Sequence, residues 1–430
     1  MGERPKVSVV MPVHNGGGYL GPAIESILGQ TLAHLEFIIV DDGSADTTAD
    51  TIRRYETADR RVRPFRQPRS GMVAALTLGC HEARAAYIAR MRARMIFLGG
   101  SGWRTAFSPE LPWSHPDYPV LVPSLVVRAW LYAGAATLLG PALVAATFAF
   151  GTVGLVVSSL GALRRPSQGL LAGMVLLSTP FFIRHATSLY ADVPLSFFFL
   201  ATVVCLALDD RYGAETRRFA VLAGFAAGLA MWTKNEGQLF TLAVAAGLTA
   251  GGWSEGWSST RRRLSAFGLG LLPLLVLVVS FKVSFAPPND LLSTLGVDRT
   301  LERVTDPARY AMVLRAYVVH LLTFGDNGLG GAVWPLAVCF AALGASRPES
   351  RRTWVRAVAI ALILLLAGHF MVFVSMADEL ARLLKSSLDR LLLQLWPSAL
   401  FLGFMVVRTL EEAGAPREVA EPRAGHAVHS

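Results

Sequence analysis

Two groups of residues in this chain have the types and spacing for chemistry on a charged, hydroxyl-rich molecule. The first is Asp41-Asp42-Gly43-Ser44, preceded in the sequence by Pro12-Val13-His14-Asn15. Carboxylates accept hydrogen bonds from a base N–H or from ribose hydroxyls, and a glycine beside them lets a ligand approach the backbone. The second group stands at the ends of apolar runs: His115, Asp117 and Tyr118; Tyr190 and Asp192; Lys234, Asn235 and Glu236; and Arg390. A basic side chain there can meet a phosphate, and a carboxylate can take a proton from an attacking hydroxyl. Lysine is scarce, occurring only at Lys6, Lys234, Lys282 and Lys385.

Each group also has a plainer structural role. Asp41, Asp42 and Ser44 can form a turn and cap the next helix. Prolines stiffen the loop around His115, Asp117 and Tyr118. Asp192 ahead of Pro194 fits a helix N-cap with proline in the first turn. Lys234 and Asn235 can cap carbonyls at a helix end and meet its dipole. Arg390 can snorkel to a membrane surface. Trp103, Trp113, Trp232 and Trp396 suit an interfacial belt.

The elements that must position these residues differ between the two ends of the chain. "VSVVM" (7–11) and "FIIV" (37–40) are short β-branched or apolar runs, and "YLGPAIESILGQTL" between them has helical spacing. Strand, helix, strand is a parallel βαβ unit. Both polar loops then lie at the carboxyl ends of strands, where ligands bind in open α/β sheets.

Farther on, long apolar runs alternate with short polar loops. The 430 residues are 53% hydrophobic, with a mean hydropathy of +0.45. That is too apolar for an ordinary soluble protein. The formal net charge is +9, but the arginines fall between apolar runs, so a membrane explains the basic balance better than nucleic acid does. Three separated cysteines make no disulfide framework or metal spacing. The opening residues read as a folded domain rather than a signal peptide.

Candidate spans are 139–163, 168–186, 192–209, 218–233, 236–252, 264–285, 329–346, 354–376 and 391–409, with 119–137 a tenth span or a surface helix. Arg164–Arg165, Arg211 with Arg217–Arg218, Arg261–Arg263, and Arg347 with Arg351–Arg352 fall in alternate loops, which the positive-inside rule makes cytoplasmic. "WSHPDYP", "RHATSLYADVP", "WTKNEG", "PPNDLLSTLGVDRTLERVTDPARY" and "MADELARLLKSSLDR" then face outward. Polar groups collected on one face suit an enzyme acting on a lipid-carried substrate. A transporter would place charges or broken helices near the midplane.

The motifs carry two resemblances. "VSVVMPVHNGGGYLGPAIESILGQTLAHLEFIIVDDGSADTT" resembles the start of a family-two glycosyltransferase of GT-A, Rossmann-like α/β fold, and the resemblance runs to Met91. It implies that Pro12, Asn15, Asp41 and Asp42 lie beside the nucleoside of a nucleotide-sugar donor. Intact relatives also hold a divalent metal (Mg or Mn) on the donor diphosphate with an Asp-x-Asp-type motif; here the corresponding place reads Arg92-Ala93-Arg94, so that acidic motif is absent. "FSPELPWSHPDYPVLVP", "ATSLYADVPLSFFFL", "GLAMWTKNEG" and "SLDRLLLQLWP" resemble polytopic GT-C glycosyltransferases of the dolichyl-phosphate-mannose and aminoarabinose transferase type. That likeness implies a polyprenyl-phosphate sugar donor and a bacterial inner-membrane, multi-pass protein. It also implies His115, Tyr118, Tyr190, Asp192, Lys234, Asn235 and Arg390 as lipid-phosphate or acceptor contacts. Such enzymes place their principal acid after a first span, which has no counterpart here; Asp117 and Glu236 are the carboxylates left to serve as base.

The expected architecture is a partial α/β segment (1–91), a junction and external-loop remnant (92–118), a GT-C-like helical membrane domain of nine or ten spans (119–409) and a disordered cytoplasmic tail (410–430). The two resemblances abut within "YIARMRARMIFLGGSGW" (87–103) and read as an abridged fusion. The expected function is sugar transfer from a polyprenyl-phosphate or nucleotide-sugar donor to an envelope glycan or lipid, with membrane lipids and no nucleic acid as partners. A catalytically inactive fusion or deletion remnant and a lipid-linked sugar transporter remain the alternatives.

Overall fold

The computed structural model describes residues 7–30, 34–71, 74–75, 78–79, 93, 96–97, 100–108, 116–137, 139–187, 190–213, 216–287, 297–324, 331–376 and 380–414. His115, much of the expected junction and residues 415–430 of the expected tail lie outside them.

The first block is a three-stranded parallel sheet in the order β1-β2-β3: β1 (Val7–Val13), β2 (Leu35–Asp42) and β3 (Val62–Gln67), connected through helices α1 (Gly17–Leu28) and α2 (Thr48–Ala58). Val7 pairs with Leu35 and Phe37 with Val62. Central strand β2 is buried along its whole length, which explains its continuous apolar run in place of alternation. Phe37 and Ile39 pack on Leu20, Ile24 and Ile52, while Ile38 and Val40 pack on Ala75 from the other face. Both expected strands are present and extend past their apolar runs. Asp41 and Asp42 therefore end the strand itself, and the turn begins at Gly43.

The second block is helical: α3 (Leu121–Ala133), α4 (Leu139–Leu163), α5 (Pro166–Leu177), α6 (Pro180–Thr187), α7 (Asp192–Tyr212), α8 (Arg218–Thr233), α9 (Glu236–Gly251), α10 (Trp257–Ser284), α11 (Val297–Thr305), α12 (Pro307–Thr323), α13 (Val333–Leu343), α14 (Arg347–Ser350), α15 (Thr353–Ser375), α16 (Leu380–Val406) and α17 (Leu410–Gly414). Among the described residues, α4, α7, α10 and α15 are long and apolar enough to cross a membrane; α5 and α6, bent by 72° at their break, would make a fifth span. The count of nine or ten also included the runs of α3, α8, α9 and α13 and the run 391–409, most of which lies in α16. Sixteen-residue helices such as α8 and α9 rise about 24 Å, short of a hydrocarbon core of about 30 Å.

Helix α7 is central. Of its apolar window 78% is buried, against 28% for α4 and α10. Helices α8 and α10 meet backbone to backbone: a Cβ on Gly224 would stand 1.8 Å from the Phe267 carbonyl oxygen, and one on Gly270 1.8 Å from that of Val221.

Four segments differ from the sequence expectation. The single span 168–186 is two helices, because Pro180 follows the Ser178–Thr179 step and cannot continue the hydrogen-bond ladder of α5. The expected outward loop before Arg390 is helical from Leu380, because Leu380, Leu384 and Leu388 recur at helical spacing and pack on Val313, Tyr317 and Phe373. The polar stretch ahead of Tyr310 leads into α12, which Asp306 starts by accepting a hydrogen bond from the Ala308 N–H, with Pro307 at the first helical position. The first residues of the expected tail form the short helix α17.

Candidate functional site

The amino-terminal loops are laced to one another at the carboxyl edge of the sheet. The Asn15 N–H donates to Ser44 Oγ at 2.9 Å, and the Ala45 N–H donates to Asn15 Oδ1 at 2.9 Å. The Gly16 N–H donates to Thr48 Oγ1 and that of Gly17 to Asp46 Oδ2. Asn15 takes a left-handed φ of 51° to do this, a conformation asparagine tolerates better than most residues. Asp42 organises the segment after β3. Its Oδ1 accepts from Gln67 Nε2 at 2.7 Å and the Ser70 N–H at 2.8 Å, and its Oδ2 from the Gly71 N–H at 2.8 Å. Those bonds, Gln67's first, hold its carboxyl below the ordinary 3.8. Gly43 has φ +68°, and a Cβ there would stand 2.6 Å from the Arg69 nitrogen, so only glycine lets the segment pack this closely.

Asp41 is used differently. Its Oδ1 accepts from the Ser44 N–H at 2.9 Å. Its Oδ2 is buried without a hydrogen-bond partner among the described residues, and the Arg66 guanidinium stands 3.5 Å away. Pro12 sits in β1 opposite Val40. The edge thus offers one carboxylate oxygen of Asp41, whereas the Asp42 carboxylate already accepts three hydrogen bonds.

The helical block gathers a second site around Asp192. This residue is the first of α7, and Ala191 is the N-cap. Among the described residues its carboxylate accepts from side chains and caps no helix N–H. It is fully buried and turns inward to Lys234, Arg390 and Gln394. Lys234 Nζ donates to Oδ1 at 3.1 Å and Gln394 Nε2 to the same oxygen at 2.7 Å. Arg390 Nε donates to Oδ2 at 3.0 Å, with Nη2 at 2.9 Å. Arg390 and Gln394 are four residues apart on α16, one above the other on the same face.

Lys234 ends α8 in extended backbone, and α9 starts at Glu236. The corner is tight: the Gly237 N–H donates to the Lys234 carbonyl at 3.0 Å, and a Cβ on Gly237 would stand 2.2 Å from the Ala230 oxygen. This turn brings Lys234 Nζ to 2.7 Å from Glu236 Oε1. Burial opposes the ammonium charge, but Asp192 and Glu236 outweigh it and hold Lys234 above the ordinary lysine range. The next residue, Asn235, donates from Nδ2 to Asp117 Oδ2 at 2.6 Å. Lys282, near the end of α10, donates from Nζ to the Asp117 carbonyl oxygen and lies 3.9 Å from its carboxylate. Two tyrosine rings close the set: Tyr118 faces Lys234 with 5.6 Å from Nζ to the ring centre, and Tyr190 faces Arg390 at 4.7 Å. Burial pushes the Tyr118 hydroxyl well above its ordinary 10.

Residues 8–93 match the family model for Glycosyl transferase family 2. The curated relatives agree. The chain is 37% identical over 116 residues to the putative glycosyltransferase EpsH of Bacillus subtilis, covering 27% of this chain and 29% of that one. It is 40% identical over 83 residues to glycosyltransferase GlyG of Streptococcus pneumoniae, covering 19% and 28% respectively. An uncharacterized glycosyltransferase of Haemophilus influenzae is 38% identical over 87 residues, 20% of this chain and 35% of that one. The chain thus spans at most 35% of the length of these relatives. Among solved structures it is similar to ArnT from Cupriavidus metallidurans bound to undecaprenyl phosphate, at 15% identity and a TM-score of 0.47 over 74% of this chain and 54% of that one. The apo form of the same protein gives a TM-score of 0.48.

The chain joins a segment that matches the family-two glycosyl transferase model to helices long and apolar enough to cross a membrane. Of the residues singled out in the sequence of the helical block, Asp117, Tyr118, Tyr190, Asp192, Lys234, Asn235, Glu236 and Arg390 meet in one place. Pro12, Asn15, Asp41 and Asp42 meet at the sheet edge. Sequence reasoning missed Gln394 and Lys282 in the first set, and Asp46, Thr48 and Gln67 in the second. Gln394 lies inside an apolar run, where a polar residue is itself a signal. Lys282 carried the signal of being one of four lysines in the chain. No cluster of three or more His, Cys, Asp or Glu suited to a metal occurs among the described residues.

Proposed function

We propose that the chain is a membrane glycosyltransferase whose helical part transfers a sugar from a polyprenyl-phosphate donor to a glycan or lipid acceptor of the bacterial envelope. The observation that carries this reading is the convergence of Lys234, Arg390 and Lys282 with Asp117 and Glu236 at one end of α7. At the other end of that helix, Asp209 pairs with Arg217 and Arg263. Seventeen residues separate Asp192 from Asp209, about 26 Å of helix. The candidate site thus stands about a bilayer core away from the arginine-marked loops, near the level of a lipid phosphate. With those loops cytoplasmic, the site faces outward.

In the transfer step, the acceptor hydroxyl oxygen forms a bond to the anomeric carbon as the bond from that carbon to the phosphate oxygen breaks. The phosphate leaves with the electron pair, and the cationic side chains stabilise its growing charge. The acceptor proton passes to a carboxylate. Asp117 is the first choice for this base, because Asn235 and Lys282 hold its carboxylate in place; Glu236 is the second. Asp192 positions Lys234 and Arg390 for phosphate contact and offsets their charge.

The segment 1–91 then serves as a nucleotide-sugar-binding-like domain, with Pro12, Asn15, Asp41 and Asp42 at its base-binding edge. Intact family-two relatives add a divalent metal, and the acidic motif that would hold it is replaced here by Arg92-Ala93-Arg94. No step is assigned to a metal in this chain. The remaining divisions of the chain are a junction (92–118), the helical membrane domain (119–409) and a cytoplasmic tail (410–430). The inner membrane is the proposed location.

The test is transfer from a labelled polyprenyl-phosphate sugar by membranes containing the full chain. Lys234→Ala and Asp117→Asn should each depress transfer. Equal transfer by wild type and both variants would defeat the site assignment. No transfer by wild type, from any of a panel of such donors, would favour the inactive-remnant alternative.

A further inference from the structure

His369 is an anomaly in the apolar core. It lies on α15, is only 4% exposed, and neither ring nitrogen has a hydrogen-bond partner among the described residues. Buried polar groups are nearly always satisfied, and a neutral imidazole carries one donor and one acceptor. Gly368 beside it admits Leu239 of α9 so closely that a Cβ there would meet Leu239 Cδ2 at 2.8 Å. Leu239 is three residues on from Glu236, the first residue of α9, so His369 lies about one helical turn below the Lys234–Glu236 corner.

Other unpartnered atoms gather at the same corner. Glu236 Oε2, Asn235 Oδ1 and Gln394 Oε1 are buried without hydrogen-bond partners among the described residues. The two amides cannot be relieved by exchanging oxygen and nitrogen. Asn235 Nδ2 donates to the Asp117 carboxylate and Gln394 Nε2 to that of Asp192, so in each the nitrogen must face the carboxylate and the oxygen is left over. The leftover set is therefore three oxygen acceptors and one imidazole. Such a set calls for hydroxyls, each of which donates once and still accepts. A cation suits it less, because Lys234 and Arg390 already offset Asp192 and Glu236. The Glu236 side chain keeps 16% exposure, so the corner has a way out to the surface.

We infer that His369, Glu236, Asn235 and Gln394 form a subsite for the hydroxyls of a neutral sugar, with His369 as its deepest contact. The inference rests on the sugar-transfer reading and gives the transferred sugar a place: over the Lys234–Asn235–Glu236 corner, beside the phosphate-holding cations.

The test is thermal unfolding of the detergent-purified full chain, titrated with methyl hexopyranosides and methyl pentopyranosides, with glycerol as control. At least one glycoside should raise the unfolding temperature of wild type more than glycerol does. His369→Leu should raise its half-saturating concentration about tenfold, the effect of one lost hydrogen bond of ordinary strength, and His369→Gln should recover part of the loss. Should His369→Leu fail to fold, Gln394→Met reads the same shift. Wild type unprotected by every glycoside, or saturation of the variants at the wild-type concentration, would overturn the subsite and leave the unpartnered atoms to water. A parallel titration of wild type with polyprenyl phosphate separates this result from the parent reading. His369-dependent glycoside protection without any response to polyprenyl phosphate would sink the lipid-phosphate donor and keep the sugar subsite.

Discussion

Asp192 and Arg390 are 198 positions apart in sequence, yet Arg390 Nε donates to Asp192 Oδ2 at 3.0 Å and joins α16 to the start of α7. Asp192 is fully buried and carries Lys234 and Gln394 on its other oxygen. A buried carboxylate between two cations is strongly dependent on all three being present. Asp192→Ala should therefore destabilise the helical block by about 3–5 kcal/mol, because it leaves two cations without their shared anion. Thermal unfolding of the full chain in detergent measures this. A loss no larger than that of an exposed substitution would show that the cations find other partners.

Asp117→Asn should lower sugar transfer by about two to four orders of magnitude, the usual contribution of a general base, with little change in donor KM. The isosteric amide keeps the size of the carboxylate beside Asn235 and Lys282, so folding should persist. A variant that transfers at the wild-type rate would move the base to Glu236, for which Glu236→Gln is the matching test.

The Asp42 carboxyl is held below its ordinary 3.8 by Gln67 and by the Ser70 and Gly71 N–H groups. The sign follows from proton linkage. A depressed folded pKa gives stability that is fully present above 3.8 and is lost as pH falls through the folded value. Amide protection of Ser70 and Gly71 should therefore fall on acidification below about pH 4. In Asp42→Asn it should be weak at neutral pH already and nearly flat over the same range. Hydrogen exchange across pH 2–7 reads both.

Gly224→Ala should cost about 1–3 kcal/mol by forcing α8 from α10, since its new methyl would stand 1.8 Å from the Phe267 oxygen. Gly268→Ala, in α10 with open space around its Cβ position, is the control and should be neutral or slightly stabilising. Equal unfolding temperatures for the two variants would contradict the close helix contact.

The parts legible in the sequence were those encoded by local pattern. The apolar runs at Val7 and Phe37 marked strands, because a strand buried on both faces shows unbroken hydrophobicity. Lys234, Asn235 and Glu236 were legible because polar residues ending an apolar run are conspicuous. Other parts were hidden for the same local reason. The stretch before Arg390 reads as a polar loop until Leu380, Leu384 and Leu388 find Val313 and Phe373 to pack on. The run 168–186 reads as one span because hydropathy does not register the bend at Pro180.

By itself the sequence determined the kinds of chemistry available. It set a glycosyltransferase-like sheet edge with paired aspartates, an apolar chain too long to stay in water, and a few charges at the ends of its runs. Only the tertiary structure decided which charges face each other. Asp192, readable as an N-cap, became the shared anion of Lys234 and Arg390. Asp42, readable as a ligand contact, became the anchor of the Ser70–Gly71 backbone. Gln394, lost among apolar neighbours, came to share the Asp192 carboxylate with Lys234. The physical reason is that patterning is local, whereas a buried charge is stabilised only by partners that folding brings from distant segments.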